Sequence, residues 1–335
     1  MSRTDSQGRF ENGERVTEAG PIRVGVVGLG YFGAHHVRHY AAHAGAALVA
    51  VADVDAALAA TVARAHGAEA LSDHRAMIGR VDAVSVTAPT SVHHAIAGEL
   101  IDAGIHVFVE KPITVDAVSA ADLVARAERR GMRLQVGHIE RFAPAFRALS
   151  ARVTAPRLIE CVRRTPWSGR ALDVDVVLDL MIHDIDLVLT LAASPVVSVA
   201  ATGMSVATVH NDVVEARVTF ASGLVATLAT SRVAASPERT IAVTEPGRRL
   251  MADLARTELT VISGTEGGGI AEERIALEKG DNLAAEVDAF LASIASGASP
   301  VVDGRAGLDA LKLAEAILDA AGDRPALSVS HGVRA

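Results

Sequence analysis

The fold is decided by the run Val24-Gly25-Val26-Val27-Gly28-Leu29-Gly30-Tyr31-Phe32-Gly33. Residues 22–27 are apolar and predict a buried β-strand, and the Ala-rich stretch after the run predicts a helix. Between strand and helix, Gly28 allows a tight turn, Gly30 lets the backbone approach a pyrophosphate, and Gly33 permits close helix packing. Because a helix N-terminus binds anions, the run predicts a dinucleotide-binding loop.

A carboxylate stands where such a loop needs one. Asp53 closes the second predicted strand, about twenty positions after Gly33, where it can accept hydrogen bonds from adenosine ribose hydroxyls. Asp55 follows and no Arg is adjacent, so a ribose 2′-phosphate would meet negative charge. The pattern therefore predicts NAD rather than NADP. The predicted cofactor-binding residues of this region are Gly28, Leu29, Gly30, Tyr31, Phe32, Gly33 and Asp53.

Short apolar runs alternate with Ala-rich stretches of helical period from residue 22 to residue 136. This alternation is typical of a parallel sheet covered by helices, and it predicts a doubly wound α/β domain, the Rossmann fold, over residues 21–140. The predicted strands are residues 22–27, 47–52, 83–87, 106–109 and 133–136, and the predicted helices are residues 34–43, 56–65, 92–103 and 116–129.

The pattern changes in the second half of the chain. Closely spaced β-rich runs without helices between them favour a mainly antiparallel sheet, so we expect an α+β domain over residues 141–330. The predicted helices are residues 173–191, 283–294 and 304–321, and the predicted strands are residues 196–202, 213–220, 224–233 and 241–243.

The composition excludes several classes of protein. The chain has 335 residues and a formal net charge of -8, whereas nucleic-acid binding normally needs a clustered Lys and Arg surface. No apolar run reaches the ~20 uninterrupted residues of a membrane span, so we expect neither nucleic acid nor membrane as partner. Cys161 is the single cysteine, which favours a reducing cytoplasm. Residues 1–20 are polar and are expected to form a flexible leader.

Two further stretches resemble one known family. Residues 85–93 read Ser-Val-Thr-Ala-Pro-Thr-Ser-Val-His, and residues 106–112 read His-Val-Phe-Val-Glu-Lys-Pro. Together they resemble the Gfo/Idh/MocA oxidoreductases, over nearly the whole chain from residue 22. The resemblance implies an open-faced second lobe, a homodimer or homotetramer with an isologous interface, and a cis bond before Pro112. It also implies cofactor contacts from Thr87, Ala88, Pro89, His93, Glu110 and Lys111.

Lys111 is the first catalytic candidate. It lies at the carboxyl end of a buried strand, where ligands bind in such sheets, and its ammonium can stabilise a developing alkoxide. By the resemblance it reaches the reacting hydroxyl, and Glu110 helps to fix the site. His93 has two interpretations. It is either a residue of the nicotinamide pocket, or a histidine that caps a helix or lies in the core with its hydrogen bonds satisfied.

Asp179, His183 and Asp186 interrupt an otherwise apolar helix. Their i, i+4 and i+7 spacing places them on one face, which is expected to line a wet cleft because burying it unpaired would be costly. Asp184 is interpreted as a solvated acid. The spacing of Asp179 and His183 also resembles the catalytic pair of the family.

Two divisions of the proton transfer remain open. In the first, His183 is the general base for oxidation, Asp179 orients it, and Lys111 hydrogen-bonds the same oxygen. In the second, Lys111 carries the proton and His183 holds the substrate. Both predict hydride transfer between NAD and a CH–OH carbon of a sugar-like substrate.

Three histidines recur at i, i+4 and i+8 on the first predicted helix, a spacing that resembles a metal site: His35, His39 and His43. They have no acidic or Cys partner in the sequence pattern, and their helix is expected to pack on the sheet. We therefore expect no metal cofactor.

The substrate is indicated by residues 135–142, which read Gln-Val-Gly-His-Ile-Glu-Arg-Phe, and by residues 175–189. Both stretches resemble a narrower branch, the UDP-N-acetylglucosamine 3-dehydrogenases. This implies oxidation of the sugar C3 hydroxyl to a ketone, which a partner aminotransferase then aminates. A basic, aromatic segment expected to be a loop either binds a diphosphate and a stacked ring or is simply solvated. The substrate candidates are His138, Arg141, Arg163, Arg164, Trp167 and Arg170.

Two other functions compete with this one. The first is a dehydrogenase or reductase of a free sugar or cyclitol, because the constellation of Lys111, Asp179 and His183 is generic for that chemistry. The second is a non-catalytic, NAD-binding regulator, because fold does not establish function. Lys111 and His183 argue against the second.

Overall fold

The computed structural model of the protein describes residues 20–322, so the expected leader lies outside the described residues except for Gly20. The first lobe alternates strands with helices, as the sequence predicts. Its elements are β1 (Ile22–Val27), α1 (Tyr31–Ala42), β2 (Ala46–Ala52), α2 (Ala56–His66), β3 (Glu69–Leu71), β4 (Ala83–Val86), α3 (Thr90–Asp102), β5 (His106–Val109), α4 (Ala117–Arg130) and β6 (Leu134–Val136).

These six strands form a parallel sheet in the order β3-β2-β1-β4-β5-β6, which confirms the Rossmann fold. The strand order reverses between β1 and β4, so the loops that follow these two strands diverge and leave a crevice for a ligand. Strand β3 was not predicted because two of its three residues are exposed and no apolar run marks it. Apolar side chains fill both faces of the sheet.

The second lobe is built on a larger sheet. Its elements are α5 (Pro144–Ser150), β7 (Leu158–Arg164), a π-helical turn (Val177–Met181), α6 (Ile182–Ala192), β8 (Val196–Met204), β9 (Val213–Phe220), β10 (Val225–Ser231), β11 (Glu238–Glu245), β12 (Arg248–Asp253), β13 (Glu258–Gly264), β14 (Ile270–Ala276), α7 (Asn282–Ser296) and α8 (Gly304–Ala320).

This sheet has eight strands in the order β14-β13-β12-β11-β7-β10-β9-β8. The pair β7 and β10 is parallel and the other neighbouring pairs are antiparallel, which confirms the predicted α+β class. The prediction missed β7 and β12 to β14. Charged residues lie within β7, β12 and β14, and polar Thr260 and Ser263 lie within β13, so none of these strands is a continuous apolar run. One face of the sheet packs on the core with α6.

The long helix predicted at residues 173–191 begins later and is irregular. It starts with the π-helical turn Val177–Met181 and continues as α6. Buried Asp175 precedes it and accepts hydrogen bonds from the Val177 N–H at 3.0 Å and from the Asn211 amide at 2.8 Å. The chain before the turn is therefore held by Asp175 rather than by helical hydrogen bonds.

The last two helices join the lobes. Helix α7 packs Val287 and Phe290 into the core of the first lobe with Tyr40 and Phe108, and α8 contacts both α4 and α6. Apolar packing against both lobes holds the space between them in a fixed shape. Within residues 20–322 no helix is both long and apolar enough to span a bilayer.

Candidate active site

The loop between β1 and α1 has the shape of a pyrophosphate cradle. Gly28 has φ of +86°, a left-handed conformation that favours glycine. A Cβ on Gly33 would lie 1.9 Å from the Gly28 carbonyl oxygen, so α1 packs there against bare backbone. Among the described residues, no side chain caps α1 at Gly30. The first-turn N–H groups can therefore bind the phosphates of a dinucleotide.

Asp53 lies beside this loop at the end of β2. Its Oδ2 accepts a hydrogen bond from the Leu29 N–H at 2.7 Å, and its Oδ1 accepts one from the Asp55 N–H at 2.9 Å. The Asp55 carboxylate caps α2 by accepting from the Ala57 and Leu58 N–H groups. The Asp53 oxygens keep lone pairs that can accept further hydrogen bonds.

The stretch from Thr87 to Pro89 follows β4 next to the glycine loop. The Thr87 hydroxyl donates to the Gly28 carbonyl oxygen at 2.5 Å, which fixes one loop against the other. His93 is 1% exposed, with Nδ1 3.0 Å from the Pro112 carbonyl oxygen and Nε2 2.8 Å from the Ala88 carbonyl oxygen. This geometry favours the interpretation of His93 as a buried histidine that ties α3 to the following loops.

Lys111 follows β5 at the same edge of the sheet, and its bond to Pro112 is cis. The Lys111 Nζ donates to the Asp179 carbonyl oxygen at 2.7 Å and lies 3.6 Å from Asp179 Oδ1. Burial lowers the pKa of Lys111, while the charges of Asp179 and Glu110 oppose that shift. The ammonium group therefore lies at the junction of the two lobes with a pKa moved toward neutrality.

His183 lines the same cleft from α6. Burial lowers the pKa of His183 well below its ordinary value, and the charges of Lys111 and Arg163 lower it further. Its ring lies 6.3 Å from the ring of His138, whose pKa is also lowered by burial. Within the described part of the chain, His183 Nδ1 and both ring nitrogens of His138 have no hydrogen-bond partner. Burial therefore favours the neutral form of both imidazoles.

The Asp179 side chain pairs with Lys111, which differs from the expectation that it orients His183. The cause is the π-helical turn that contains Asp179. Because a π-turn has more residues per turn than an α-helix, positions four apart no longer align on one face. The irregular turn thus directs Asp179 across the cleft to the other lobe.

Two acids of α6 are buried in ion pairs. Asp184 accepts hydrogen bonds from Arg163 at 2.8 and 3.0 Å, and Arg163 also donates to Glu140 at 2.9 Å. Arg141 forms two hydrogen bonds of 2.7 Å with Asp186. The prediction that Asp184 is solvated is wrong, and Asp186 is 0% exposed and does not line the cleft. Each buried charge has a partner, as burial requires.

The basic segment expected to be a loop begins as strand β7, which includes Arg163 and ends at Arg164. Arg164 is exposed and donates to Glu238 at 3.0 Å. Trp167 is 46% exposed, and the Arg170 guanidinium lies 5.2 Å from the centre of the Tyr31 ring. Arg170 therefore contacts Tyr31, at the start of α1, through a cation–π interaction.

A cleft of about 510 Å³ opens between the lobes, a volume that suits a small-molecule site. It brings together the start of α1, the end of β5 and the helix of His183. Arg239 of β11 also lines it, with a side chain that is 44% exposed and donates to Glu140 at 3.1 Å. The lining includes Tyr31, Phe32, Glu110, Lys111, Gly137, Arg163, Leu180, His183 and Arg239.

Two residues of this region escaped the sequence analysis. Arg239 lies opposite Arg163 in the register of β11 and β7, and this pairing is invisible without the sheet. His36 of α1 is buried, and its Nε2 lies 3.1 Å from Glu110 Oε1. The only sequence signal for His36 was its place inside the histidine-rich helix.

The histidines considered for a metal have separate partners. His39 Nε2 lies 3.5 Å from Asp281, and His43 Nε2 lies 3.2 Å from Asp288. Over residues 20–322, no group of three or more His, Cys, Asp or Glu side chains is arranged to hold a metal ion.

The dinucleotide cradle adjoins a cleft that contains a buried lysine, an arrangement suited to an oxidoreductase that acts on CH–OH groups. Residues 22–138 match the model of the oxidoreductase family with an NAD-binding Rossmann fold, and residues 145–268 match the GFO/IDH/MocA C-terminal domain. The chain therefore belongs to the Gfo/Idh/MocA oxidoreductase family.

Known members of the family resemble the chain over most of its length. UDP-N-acetylglucosamine 3-dehydrogenase of Acidithiobacillus ferrooxidans is 39% identical and the match covers 85% of this chain and 93% of the relative. A solved structure of that enzyme has a TM-score of 0.84 at 38% identity and covers 90% of this chain and 97% of its own. Inositol 2-dehydrogenase of Rhizobium meliloti is 28% identical, covering 92% of this chain and 99% of the relative.

Proposed function

We propose that the protein oxidises the C3 hydroxyl of UDP-N-acetylglucosamine to a ketone, with NAD as oxidant. The observation that carries this proposal is the cleft lined by Lys111 and His183, with Asp179 bonded to Lys111, in a chain 39% identical to a UDP-N-acetylglucosamine 3-dehydrogenase. The relative matches through both lobes, so the likeness includes the substrate side of the cleft as well as the cofactor side.

The residues of the first lobe fit NAD. Gly28 and Gly33 keep the cradle open, the N-terminus of α1 would hold the pyrophosphate, and Asp53 would bind the ribose hydroxyls. The absence of an Arg next to Asp53 and the presence of Asp55 support NAD over NADP. NAD bound here would accept the hydride that leaves the sugar carbon.

Lys111 and His183 have different parts in the proton transfer. Burial lowers the pKa of Lys111, which favours the amine form that can accept a proton. The pKa of His183 is lowered away from neutrality, which makes its imidazole a weak proton acceptor. We assign the hydroxyl proton to Lys111 Nζ and the positioning of the sugar to neutral His183. Asp179 then stabilises the Lys111 ammonium that forms.

Arg239 supports an anionic substrate. The chain as a whole carries a net charge of -8, yet this partly exposed guanidinium lines the cleft near Lys111. One of its nitrogens donates to Glu140, which leaves its other donors available. Arginine binds phosphate oxygens through paired hydrogen bonds, so Arg239 is our candidate for the sugar diphosphate.

A cyclitol dehydrogenase is the second candidate function. It is favoured by the likeness to inositol 2-dehydrogenase of Rhizobium meliloti, which covers 92% of this chain. Lys111, Asp179 and His183 would serve equally for a secondary alcohol of a cyclitol ring, but a cyclitol would leave Arg239 without a phosphate.

We also propose a cytoplasmic homodimer or homotetramer. Exposed apolar side chains on and beside the edge strand β8, at Val197, Met204 and Val206, support contact with a second copy. Light scattering at working concentration tests the assembly, and a monomer would contradict it.

A ketone on the sugar is a substrate for amination. We therefore propose that an aminotransferase acts on the product of this protein.

The test of the function is formation of NADH from NAD with UDP-N-acetylglucosamine, beside UDP-glucose, glucose and myo-inositol, in the presence of a carbonyl trap. We expect turnover selective for UDP-N-acetylglucosamine, lost in Lys111→Met. Lys312→Met, a change at an exposed lysine of α8, is the matched control and should retain turnover. Turnover with myo-inositol alone would replace our proposal with the cyclitol function.

A further inference from the structure

Four hydrogen-bonded side chains run from the core of the first lobe to the cleft. Tyr40 Oη lies 2.8 Å from Ser85 Oγ, and Ser85 Oγ lies 3.1 Å from His36 Nδ1. His36 Nε2 lies 3.1 Å from Glu110 Oε1. Tyr40, Ser85 and His36 are at most 1% exposed, whereas Glu110 lines the cleft. We call these four residues the relay.

Each member of the relay is fixed by a different element. His36 and Tyr40 lie one turn apart on α1, Ser85 belongs to β4, and Glu110 follows β5. The ring of His36 also packs edge to face on Phe108, with centroids 4.8 Å apart. The imidazole therefore has little freedom to rotate away from Glu110.

The hydrogen bonds of the relay can all be donated in the same direction, from Tyr40 through Ser85 and His36 to Glu110. A carboxylate only accepts, so His36 Nε2 donates to Glu110, and in the neutral imidazole Nδ1 then accepts. The Ser85 hydroxyl then donates to His36 Nδ1 and accepts from the Tyr40 hydroxyl. Burial raises the pKa of Tyr40 far above its ordinary value, so the phenol keeps the proton that it donates. Tyr40 and Ser85 thus select the tautomer of His36 that binds Glu110.

Glu110 connects the relay to Lys111. Its Oε2 accepts from the Lys111 N–H at 3.2 Å, and a Cβ on Gly137 would lie 2.7 Å from the same oxygen. The carboxylate is therefore held closely between His36 and the bare backbone of Gly137. Its charge also raises the pKa of Lys111, against the effect of burial.

We propose that His36 is a positioning residue for the reaction, because its imidazole holds the Glu110 carboxylate in a fixed orientation beside Lys111. Tyr40 and Ser85 support it by fixing its tautomer. This inference rests on the proposed role of Lys111 in proton transfer. His36 is buried and does not line the cleft, so in this proposal it acts through Glu110.

The kinetic test uses His36→Phe, His36→Gln and Glu110→Gln, with the sugar that turns over in the substrate panel. We expect His36→Phe to lower kcat about tenfold or more, the size of a lost hydrogen bond to a charged group, with KM changed less than about twofold. His36→Gln should recover part of kcat because its amide can donate to Glu110. His43→Phe, at the C-cap of the same helix and partly exposed beside Asp288, is the matched control.

A double-mutant cycle separates positioning from general packing. If His36 acts through Glu110, the double variant His36→Phe, Glu110→Gln should have the kcat of Glu110→Gln alone. Losses that multiply in the double variant would overturn the proposal. Should His36→Phe fail to fold, Ser85→Ala takes its place, because it keeps the ring and removes the hydroxyl that donates to Nδ1.

A second readout needs no substrate. Lys111 can be acetylated with trace acetic anhydride over a pH series and quantified by mass spectrometry. When Glu110 loses its orientation, its field at Lys111 falls, the pKa of Lys111 drops further, and acetylation should begin at lower pH in His36→Phe. The groups facing Lys111 in both lobes are Glu110, Asp179, Arg163, His138 and His183.

The two readouts fail differently. An absence of turnover with every sugar would remove the proposed function and leave the acetylation series as the test of the relay. An acetylation curve in His36→Phe that coincides with that of the unchanged protein would overturn the relay even if the sugar is correct.

Discussion

Lys111 Nζ of the first lobe donates a 2.7 Å hydrogen bond to the carbonyl oxygen of Asp179 in the second lobe. The Asp179 carboxylate lies 3.6 Å from the same nitrogen. One lysine is thus held by both a carbonyl oxygen and a carboxylate across the cleft. Because the π-helical turn presents Asp179 to Lys111, a change in the second lobe should alter the proton chemistry of the first.

Replacing Asp179 with Asn should move the pH profile of oxidation to lower pH. The Asp179 carboxylate raises the pKa of Lys111, so its removal lowers that pKa and gives neutral amine at lower pH. We expect the rising limb of kcat to move down by about one pH unit, with a lower maximum. Stopped-flow rates of NADH formation over a pH series check this, with exposed Asp309→Asn as control. If the rising limb of the pH profile did not move, His183 rather than Lys111 would be the proton acceptor.

Replacing Arg239 with Gln should weaken binding of a nucleotide sugar selectively. Loss of a charge-assisted contact to phosphate raises KM for UDP-N-acetylglucosamine about tenfold, while kcat is nearly unchanged. Arg274→Gln on β14, where the arginine is exposed beside Glu272, is the matched control. Equal KM values in Arg239→Gln and the unchanged protein would place the diphosphate elsewhere.

Replacing Asp53 with Ser should weaken the use of NAD more than that of NADP. The variant loses the carboxylate that binds the ribose hydroxyls and the negative charge that opposes a 2′-phosphate. We expect KM for NAD to rise about tenfold and the ratio of NAD to NADP efficiency to fall. Initial rates with NAD and with NADP measure this ratio, and the surface variant Asp288→Ser is the control. An unchanged ratio would show that another residue selects the cofactor.

Replacing Arg163 with Met should destabilise the fold. The change leaves Asp184 buried without its partner, which costs about 3–5 kcal/mol of unfolding free energy. Arg164→Met, one residue later on β7 and exposed, should cost less than about 1 kcal/mol. Urea unfolding followed by circular dichroism compares the two. Similar losses for both variants would contradict the buried ion pair.

The features predicted from sequence are those set by neighbours along the chain. Gly28, Gly33 and Asp53 belong to a local strand, loop and helix pattern, and the strands of the first lobe match their predicted bounds within one residue, apart from β3. Lys111 was found through the Glu-Lys-Pro motif that resembles the family, together with its place at the end of a buried strand. Patterns of this kind can be recognised in the sequence without knowledge of tertiary contacts.

The features that escaped prediction depend on contacts between distant segments. Asp184 was interpreted as solvated because its partner Arg163 lies on a strand that was taken for a loop. Arg239 reaches the cleft only through the pairing of β11 with β7. The role that we propose for His36 depends on its contact with Glu110, which lies 74 positions away in the sequence. Spacing within one segment carries no information about these pairs.

The most direct test of the proposed reaction is the fate of the hydrogen on C3. UDP-N-acetylglucosamine carrying deuterium at C3 should pass that deuterium to NAD, so mass spectrometry of the reduced cofactor should show deuterated NADH with a primary isotope effect on kcat. Unlabelled NADH from this substrate, with deuterium retained in the sugar, would contradict oxidation at C3.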